Sequence, residues 1–277
     1  MPEGDTIFRA ARTLHRALAG QQVIAFESVL PALNRVDEDA PLAGRTIERV
    51  RAIGKHLLIH FSGDLVLRTH MRMNGSWHIY RRGERWQRSR ADMRIVIRTS
   101  AFDAVGFNVP VAEFIAESAL GKHRELRALG PDVLSDAFDA NEALANLRSC
   151  AESPIGDALL DQRVLAGLGN VYKSEVLFIC RIDPFARVRD LSDAALESIV
   201  ETARTVLRAN VSEGAAVMTT YGGLRRTTGR SQPTERLWVY GRARSPCRRC
   251  GMPIQVRKQG ADARLTYFCQ SCQRGTD

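Results

Sequence analysis

The chain has 277 residues, 44% hydrophobic and 26% charged, which is enough to bury a sizeable core and favours more than one modest domain. No apolar run approaches a membrane span and the first twenty residues lack the long apolar stretch of a secretory leader, so a cytoplasmic protein without structural disulfides is expected. The formal net charge is +9, and residues 201–277 carry 14 Lys and Arg against five Asp and Glu, leaving 26 of each sign in residues 1–200. A basic segment beside a neutral body is the footprint of a polyanion partner, because neutralising phosphates releases counterions. A solubilising basic tail is the bland alternative.

Residues 5–19 read as an amphipathic helix, with Ile7, Ala11, Leu14 and Leu18 on one face, Asp5 placed to cap the start and Gly20 to end it. Short β-type runs follow at Thr46–Ile53, His56–Phe61, Asp64–Thr69, Ser76–Tyr80, Met93–Thr99 and Ala101–Phe107. Strands this frequent, with turn residues between them and no helices, predict an antiparallel sandwich or barrel. Gly130-Pro131-Asp132 then punctuates the chain, and helical periodicity takes over, with Ser192 capping a helix to about Asn210 whose stripe is Leu196, Ile199, Val200, Ala203 and Leu207. The stretch Thr219–Pro233 is rich in Thr, Gly, Arg and Ser and reads as a mobile basic loop.

Four of the six cysteines form Cys247-x2-Cys250 and Cys269-x2-Cys272, with eighteen residues between the pairs. Each Cys-x2-Cys can place two thiolates on one ion, and the spacer has the length of a β-hairpin, so the four predict a closed structural site for one Zn2+. A redox dithiol pair or disulfide framework is the alternative. Cys150 and Cys180 lie outside the pattern and read as small buried hydrophobes. A module this small has little core of its own, so the metal is expected to supply its folding energy, and Arg248, Arg249, Arg257, Lys258 and Arg264 make its hairpin basic.

The opening Met1-Pro2-Glu3-Gly4 adds a chemical possibility. Removal of Met1 exposes a secondary amine, and an α-amino group titrates near pH ~7.7–8.0, so part of it is neutral and nucleophilic at physiological pH. Attack on a sugar C1′ gives an iminium that acidifies C2′, allowing base loss to be followed by β- and then δ-elimination of the flanking phosphates. Glu3 beside it has the chemistry of the general acid–base partner this requires. Read alone, a Pro-Glu start is common and need mean nothing.

Taken together, Pro2-Glu3-Gly4, Gly54-Lys55-His56, the run Gln162-Arg163-Val164-Leu165-Ala166-Gly167-Leu168-Gly169-Asn170, and the four-cysteine finger containing Arg264-x-Thr266-x-Phe268-Cys269 resemble the formamidopyrimidine-DNA glycosylase and endonuclease VIII family, in order and over the whole chain. The resemblance implies an α+β multidomain fold: an N-terminal β-sandwich with an N-terminal helix over 1–128, a helix–two-turn–helix domain over 129–236, and a zinc-finger hairpin over 237–277. It implies that Pro2 is the Schiff-base nucleophile, that Glu3 opens the sugar ring, and that Lys55 and Arg264 assist elimination. His70, Arg72, Met73, Asn74, Asn170, Lys173 and Arg264 would contact DNA. Asn170 would open a helix whose unpaired N–H groups suit phosphate, though it reads equally as a helix cap. Arg72, Met73 and Asn74 would fill the hole left by an everted nucleotide, although an ordinary hairpin turn explains the same residues.

Two features bear on the branch. The stretch Gly106-Phe107-Asn108-Val109-Pro110 lacks the Asp-Pro-Arg-Arg-Phe-Gly wedge of the formamidopyrimidine branch, which favours endonuclease VIII and oxidised pyrimidines. Thr6 stands where many relatives carry a glutamate facing the lesion, so that contact does not transfer. The expected protein is a monomeric base-excision-repair glycosylase and AP lyase acting on damaged double-stranded DNA, with no membrane partner. An oxidised-purine glycosylase is the near alternative, and a zinc-ribbon DNA-binding protein without activity the distant one.

Overall fold

The computed structural model describes residues 2–212, 225–230 and 232–274. They fall into two compact units, residues 2–127 and residues 128–212 with 225–274. No helix among the described residues is long and apolar enough to cross a membrane. Residues 219–224 and 231 of the expected 219–233 loop, and Met1, lie outside the described residues.

The first unit opens with α1 (Gly4–Leu18). Its N-cap is Glu3 rather than Asp5, which sits inside the first turn with its carboxylate 3.2 Å from the Arg9 guanidinium, an i,i+4 pair. Gly20 follows the helix at φ +79°, a conformation that costs glycine nothing and stops the turn. Then come β1 (Ala25–Ser28), α2 (Pro31–Asp39), β2 (Ile47–Ile53), β3 (His56–Phe61), β4 (Leu65–His70), β5 (Ser76–Arg81), β6 (Met93–Arg98), β7 (Phe102–Phe107), β8 (Val111–Ile115) and a single turn, α3 (Arg124–Arg127). The strands form two antiparallel four-stranded sheets, ordered β2-β3-β4-β8 and β1-β6-β7-β5. Trp77, Ile79, Ile95, Ile97 and Ala104 of one sheet share a core with Leu57, Ile59, Phe61 and Leu67 of the other, closed by Ile7, Leu14 and Leu18 of α1. Each such large side chain, fully withdrawn from water, contributes roughly 1.5–3 kcal/mol.

The sandwich expected from strand spacing is therefore present, with β1, α2 and β8 in addition to the six expected strands. Both faces of β3 are buried, and the face away from the shared core carries His56, Leu58 and His60. The outward face of the other sheet has its own small core of Tyr80, Met93, Val96, Val105 and Phe107.

The second unit contains α4 (Ala140–Ser149), α5 (Ile155–Ala158), α6 (Asn170–Ile179), α7 (Asp193–Ser212) and the hairpin β9 (Gln255–Gln259) with β10 (Arg264–Phe268). The start of α4 is capped by Asp139, whose carboxylate accepts from Asn141 N and Glu142 N. α7 begins one residue after Ser192 and buries Leu196, Ile199, Val200, Ala203 and Leu207, the stripe read from the sequence. α6 differs from every other helix: Asn170 through Phe178 are all buried, including Lys173 and Glu175.

Candidate functional site

In the first unit Pro2 and Glu3 are buried at the head of α1, beside buried Asp5 and Thr6. The Glu3 carbonyl accepts from Thr6 N and Ile7 N at 2.9 and 3.1 Å, so its backbone is locked into the helix start. Its side chain makes no capping bond.

Lys55 occupies the two-residue turn Gly54-Lys55 joining paired residues Ile53 and His56, with Gly54 at φ +56°. Two rings lie beside this turn. His56 and His70, on paired strands, meet edge to face at 4.9 Å, and His56 Nδ1 accepts from Arg68 Nε at 3.2 Å. Arg68 is itself buried and pairs with Glu113 and Glu125. Burial, then the charges of Arg68, His70, His123 and Lys55, push the His56 pKa down to about 3; burial, then Arg72, Lys55 and Arg68, push that of His70 to about 4. Both imidazoles are neutral at physiological pH, and neutral His70 can accept from Arg72 N, which lies 3.1 Å from its Nδ1.

That contact starts the turn expected to enter DNA. Met71 is buried, Arg72 is held at φ +44°, and Gly75 N donates to Met71 O at 2.9 Å. A Cβ on Gly75 would lie 2.6 Å from that carbonyl oxygen, so only glycine closes the turn. The result is an exposed Arg72-Met73-Asn74 tip on a buried base, with Met73 53% exposed.

In the second unit the run 162–170 is shaped by Gln162, whose amide donates to Leu160 O and Leu168 O and accepts from Gly167 N. Gly167 sits at φ +101° and α6 begins at Asn170, with Gly169 in the N-cap position, so Asn170 opens the helix and is not its cap. Asn170 Nδ2 donates to Leu265 O at 2.6 Å, placing it one residue from Arg264, while its Oδ1 is buried without a partner. Arg264 is 40% exposed and 3.4 Å from Asp262. Lys173 differs from the expectation of direct DNA contact: it has no exposed surface, and its ammonium donates to Thr266 Oγ1 at 2.6 Å, whose hydroxyl donates to Gln259.

Glu175 was not anticipated from sequence. It is fully buried, burial raises its pKa, and four donors oppose that shift: Trp238 N, Val239 N and Tyr240 N, each at 2.8 Å, and the Thr227 hydroxyl. One carboxylate thus fixes the chain entering the cysteine module. Nothing local in Val171–Phe178 marks it, because a glutamate next to Lys173 and Ser174 reads as part of a solvent face.

The thiols of Cys247, Cys250, Cys269 and Cys272 lie within 4.8 Å of one another, and all are free of disulfides. Sulfur–sulfur separations of 3.8 Å for Cys247–Cys272 and 3.5 Å for Cys250–Cys269 suit a tetrahedron with Zn–S bonds near ~2.3 Å, whose edges are about 3.8 Å. The Met252 amide chiefly lowers the Cys250 pKa to about 6, while burial raises those of Cys269 and Cys272, so the site's geometry and not its thiol acidity points to a metal. Arg249 N also donates to Cys247 Sγ at 3.4 Å.

Comparison with known proteins matches residues 1–108 to the formamidopyrimidine-DNA glycosylase N-terminal domain, residues 129–221 to the formamidopyrimidine-DNA glycosylase H2TH domain, and residues 244–275 to the zinc finger found in FPG and IleRS. The chain is 40% identical to a probable endonuclease 8 2 of Streptomyces coelicolor, across 99% of this chain and 95% of that one. It is 36% identical to the DNA-(apurinic or apyrimidinic site) lyase Nei2 of Mycolicibacterium smegmatis, covering 99% of each. A crystal structure of Lactococcus lactis Fpg with abasic-site DNA superposes with a TM-score of 0.82 at 24% identity, covering 99% of this chain and all of that one. The zinc-finger match and the thiol cluster together assign the chain one structural Zn2+.

Proposed function

Since the chain belongs to the formamidopyrimidine-DNA glycosylase and endonuclease VIII family, we propose that it is a base-excision-repair enzyme, a bifunctional DNA glycosylase and AP lyase that removes oxidised pyrimidines from duplex DNA. It works as a cytoplasmic monomer with three parts, 1–128 for catalysis, 129–236 for DNA binding and 237–277 for the zinc finger. The observation that carries the reading is Pro2 set beside buried Glu3 at the rigid head of α1.

With Met1 removed, the neutral Pro2 amine attacks C1′ and the glycosidic bond to the damaged base breaks. The resulting iminium has no N–H proton to lose, so it keeps its charge and draws the C2′ proton. Glu3 protonates the ring oxygen as the sugar opens. Departure of the 3′ and then the 5′ phosphate follows, with Lys55 and Arg264 stabilising the phosphates as they leave. Asn170 and Arg264 grip the strand from the α6–β10 junction, and Arg72, Met73 and Asn74 fill the vacated stack. His70 supports that tip through Arg72 N, and Lys173 acts from behind, through Thr266. Zinc holds the finger folded and takes no part in the chemistry.

Borohydride reduction in the presence of an abasic duplex should trap a covalent protein–DNA adduct, and Pro2→Gly, which leaves a primary amine, should weaken trapping severely. Intact mass must show Met1 absent. An undiminished adduct in the variant would move the nucleophile elsewhere. Run on thymine glycol, dihydrouracil and 8-oxoguanine duplexes, the assay also ranks lesions; fastest cutting of 8-oxoguanine opposite cytosine would select the purine reading.

A further inference from the structure

The near-neutral balance of residues 1–200 hides a local concentration of charge. Residues 81–94 carry six arginines, at positions 81, 82, 85, 88, 90 and 94, against Glu84 and Asp92 alone. The topology explains where this charge goes. β5 and β6 both pair antiparallel with β7, so they run parallel to each other, and the connection 82–92 must return from the Arg81 end of the sheet to the Ser76 end. It does so as a strap across the outward face. Trp86 packs against Phe107 edge to face at 5.7 Å and stacks on Tyr80 at 6.3 Å, and Gln87 N donates to Tyr80 Oη at 3.2 Å. Beneath lies His78, buried, stacked on Tyr80, with Nε2 on Ser76 Oγ.

The strap's anchors are its aromatic and backbone groups; Arg85 is exposed, and Arg88 is half-buried with its charge felt by His78 and Tyr80 beneath. Arg82 has Asp103 and Arg90 has Glu27, but Arg85 and Arg88 have no carboxylate within salt-bridge distance among the described residues. Residues 84–90 line an open groove of about 530 Å³. The far end of the strap meets the turn that carries Met73: Asn108 N donates to Asp92 O at 2.7 Å, Asn108 O lies 3.1 Å from where a Gly75 Cβ would be, and Ser76 pairs with Phe107. A strap with two arginines that lack carboxylate partners therefore ends, at Asp92, beside the turn that presents the exposed Arg72-Met73-Asn74 tip.

We propose that this strap is a second phosphate-binding surface, on which Arg85 and Arg88 grip the DNA backbone beyond the nucleotides at the lesion. The inference rests on the DNA-glycosylase reading. An acidic protein would match the charge as well, but only a polyanion already seated on the Met73 tip is brought to the strap by the geometry.

The test is the salt dependence of binding to a long abasic-analogue duplex, for wild type, R85A/R88A and R85K/R88K. Loss of two phosphate contacts should lower the magnitude of the slope of log K against log salt by about 1.8, and affinity in 0.1 M salt by roughly 60-fold. The lysine pair, which keeps the charges, should retain the wild-type slope. Borohydride trapping at saturating enzyme should be equal in all three, since none of these residues touches the sugar. A slope unchanged in R85A/R88A overturns the proposal, as an acidic-protein site would also produce. A wild-type protein without salt-dependent DNA binding would instead sink the glycosylase reading itself.

Discussion

Glu175→Ala tests whether a single buried carboxylate organises the path into the zinc module. The substitution removes the acceptor of four donors, Trp238 N, Val239 N, Tyr240 N and the Thr227 hydroxyl. A buried donor left unpaired costs about 1–3 kcal/mol, and Thr227 keeps a second acceptor in Arg236 O at 3.3 Å, so three backbone groups carry the loss. Allowing for relaxation and water entry, about 3–5 kcal/mol is expected. Glu175→Gln is the informative companion. Val239 N and Tyr240 N share one carboxylate oxygen, which a glutamine carbonyl can replace, while its NH2 faces Trp238 N and orphans that donor alone, at about 1–3 kcal/mol. Urea unfolding followed by tryptophan fluorescence reads both, since Trp238 adjoins the site. The folded pKa of Glu175 is raised by burial, so protonation favours the native state. Its contribution is fully present below the unfolded value of ~4.3 and is lost as pH rises through the folded pKa, so wild type should gain on Glu175→Gln as pH falls through that window. Acid also strips zinc, but equally from both proteins. A cost below about 1 kcal/mol for Glu175→Ala would refute the reasoning.

Two further outcomes follow from the same unit. Cys250→Ser should release one equivalent of zinc and abolish DNA binding while the first unit stays folded, measured by a colorimetric metal assay, a binding titration and near-ultraviolet circular dichroism; retained affinity with the metal lost would remove the hairpin from the mechanism. Lys173→Met keeps the stem and deletes the charge, so DNA affinity should fall severalfold with no change in the salt slope, whereas a slope reduced by about 0.9 would mean that Lys173 touches phosphate directly.

What could be read from sequence divides along physical lines. Strands β2 to β7 alternate or run apolar between turn residues, and the pattern is written by the core they share. β1 and β8 escape because all their residues are half-buried, leaving no contrast between faces, and α2 escapes because Leu33 is its only buried residue. The cysteine spacing is legible because coordination geometry restricts it. Asn170, Arg264 and the Met73 tip entered through family resemblance, since as single residues they look like ordinary caps and turns. Glu175 and Lys173 are the least legible: no pattern in the sequence points to the first, and none shows that the second, implied by resemblance as a DNA contact, is buried against Thr266. Charged residues in a helix usually mark its wet face, and nothing local reveals that α6 has none.

That missing wet face explains why the metal site matters to residues distant from it in sequence. Every side of α6 is covered, and several of its polar groups are held by the cysteine module and the strand it supports. Asn170 holds Leu265 O, Lys173 holds Thr266, and the Ser174 hydroxyl accepts from Tyr267 N at 3.4 Å, three consecutive residues of β10 read by one helix face. At the other end Arg249, between two cysteines, donates to Phe178 O and Ile179 O in the last turn of α6, and Gln273, one residue past Cys272, donates to Ile182 O. The position of Arg264 relative to Asn170 is thus set by hydrogen bonds at both ends of α6, and those at its C-terminal end come from residues whose placement depends on the four thiolates. Hydrogen bonds of this kind contribute only about 1 kcal/mol each, and the apolar core here is small, Phe178, Val239 and Ile254 beside Cys247 and Cys269, so the ion that orders the cysteines should also set where Arg264 lies against Asn170.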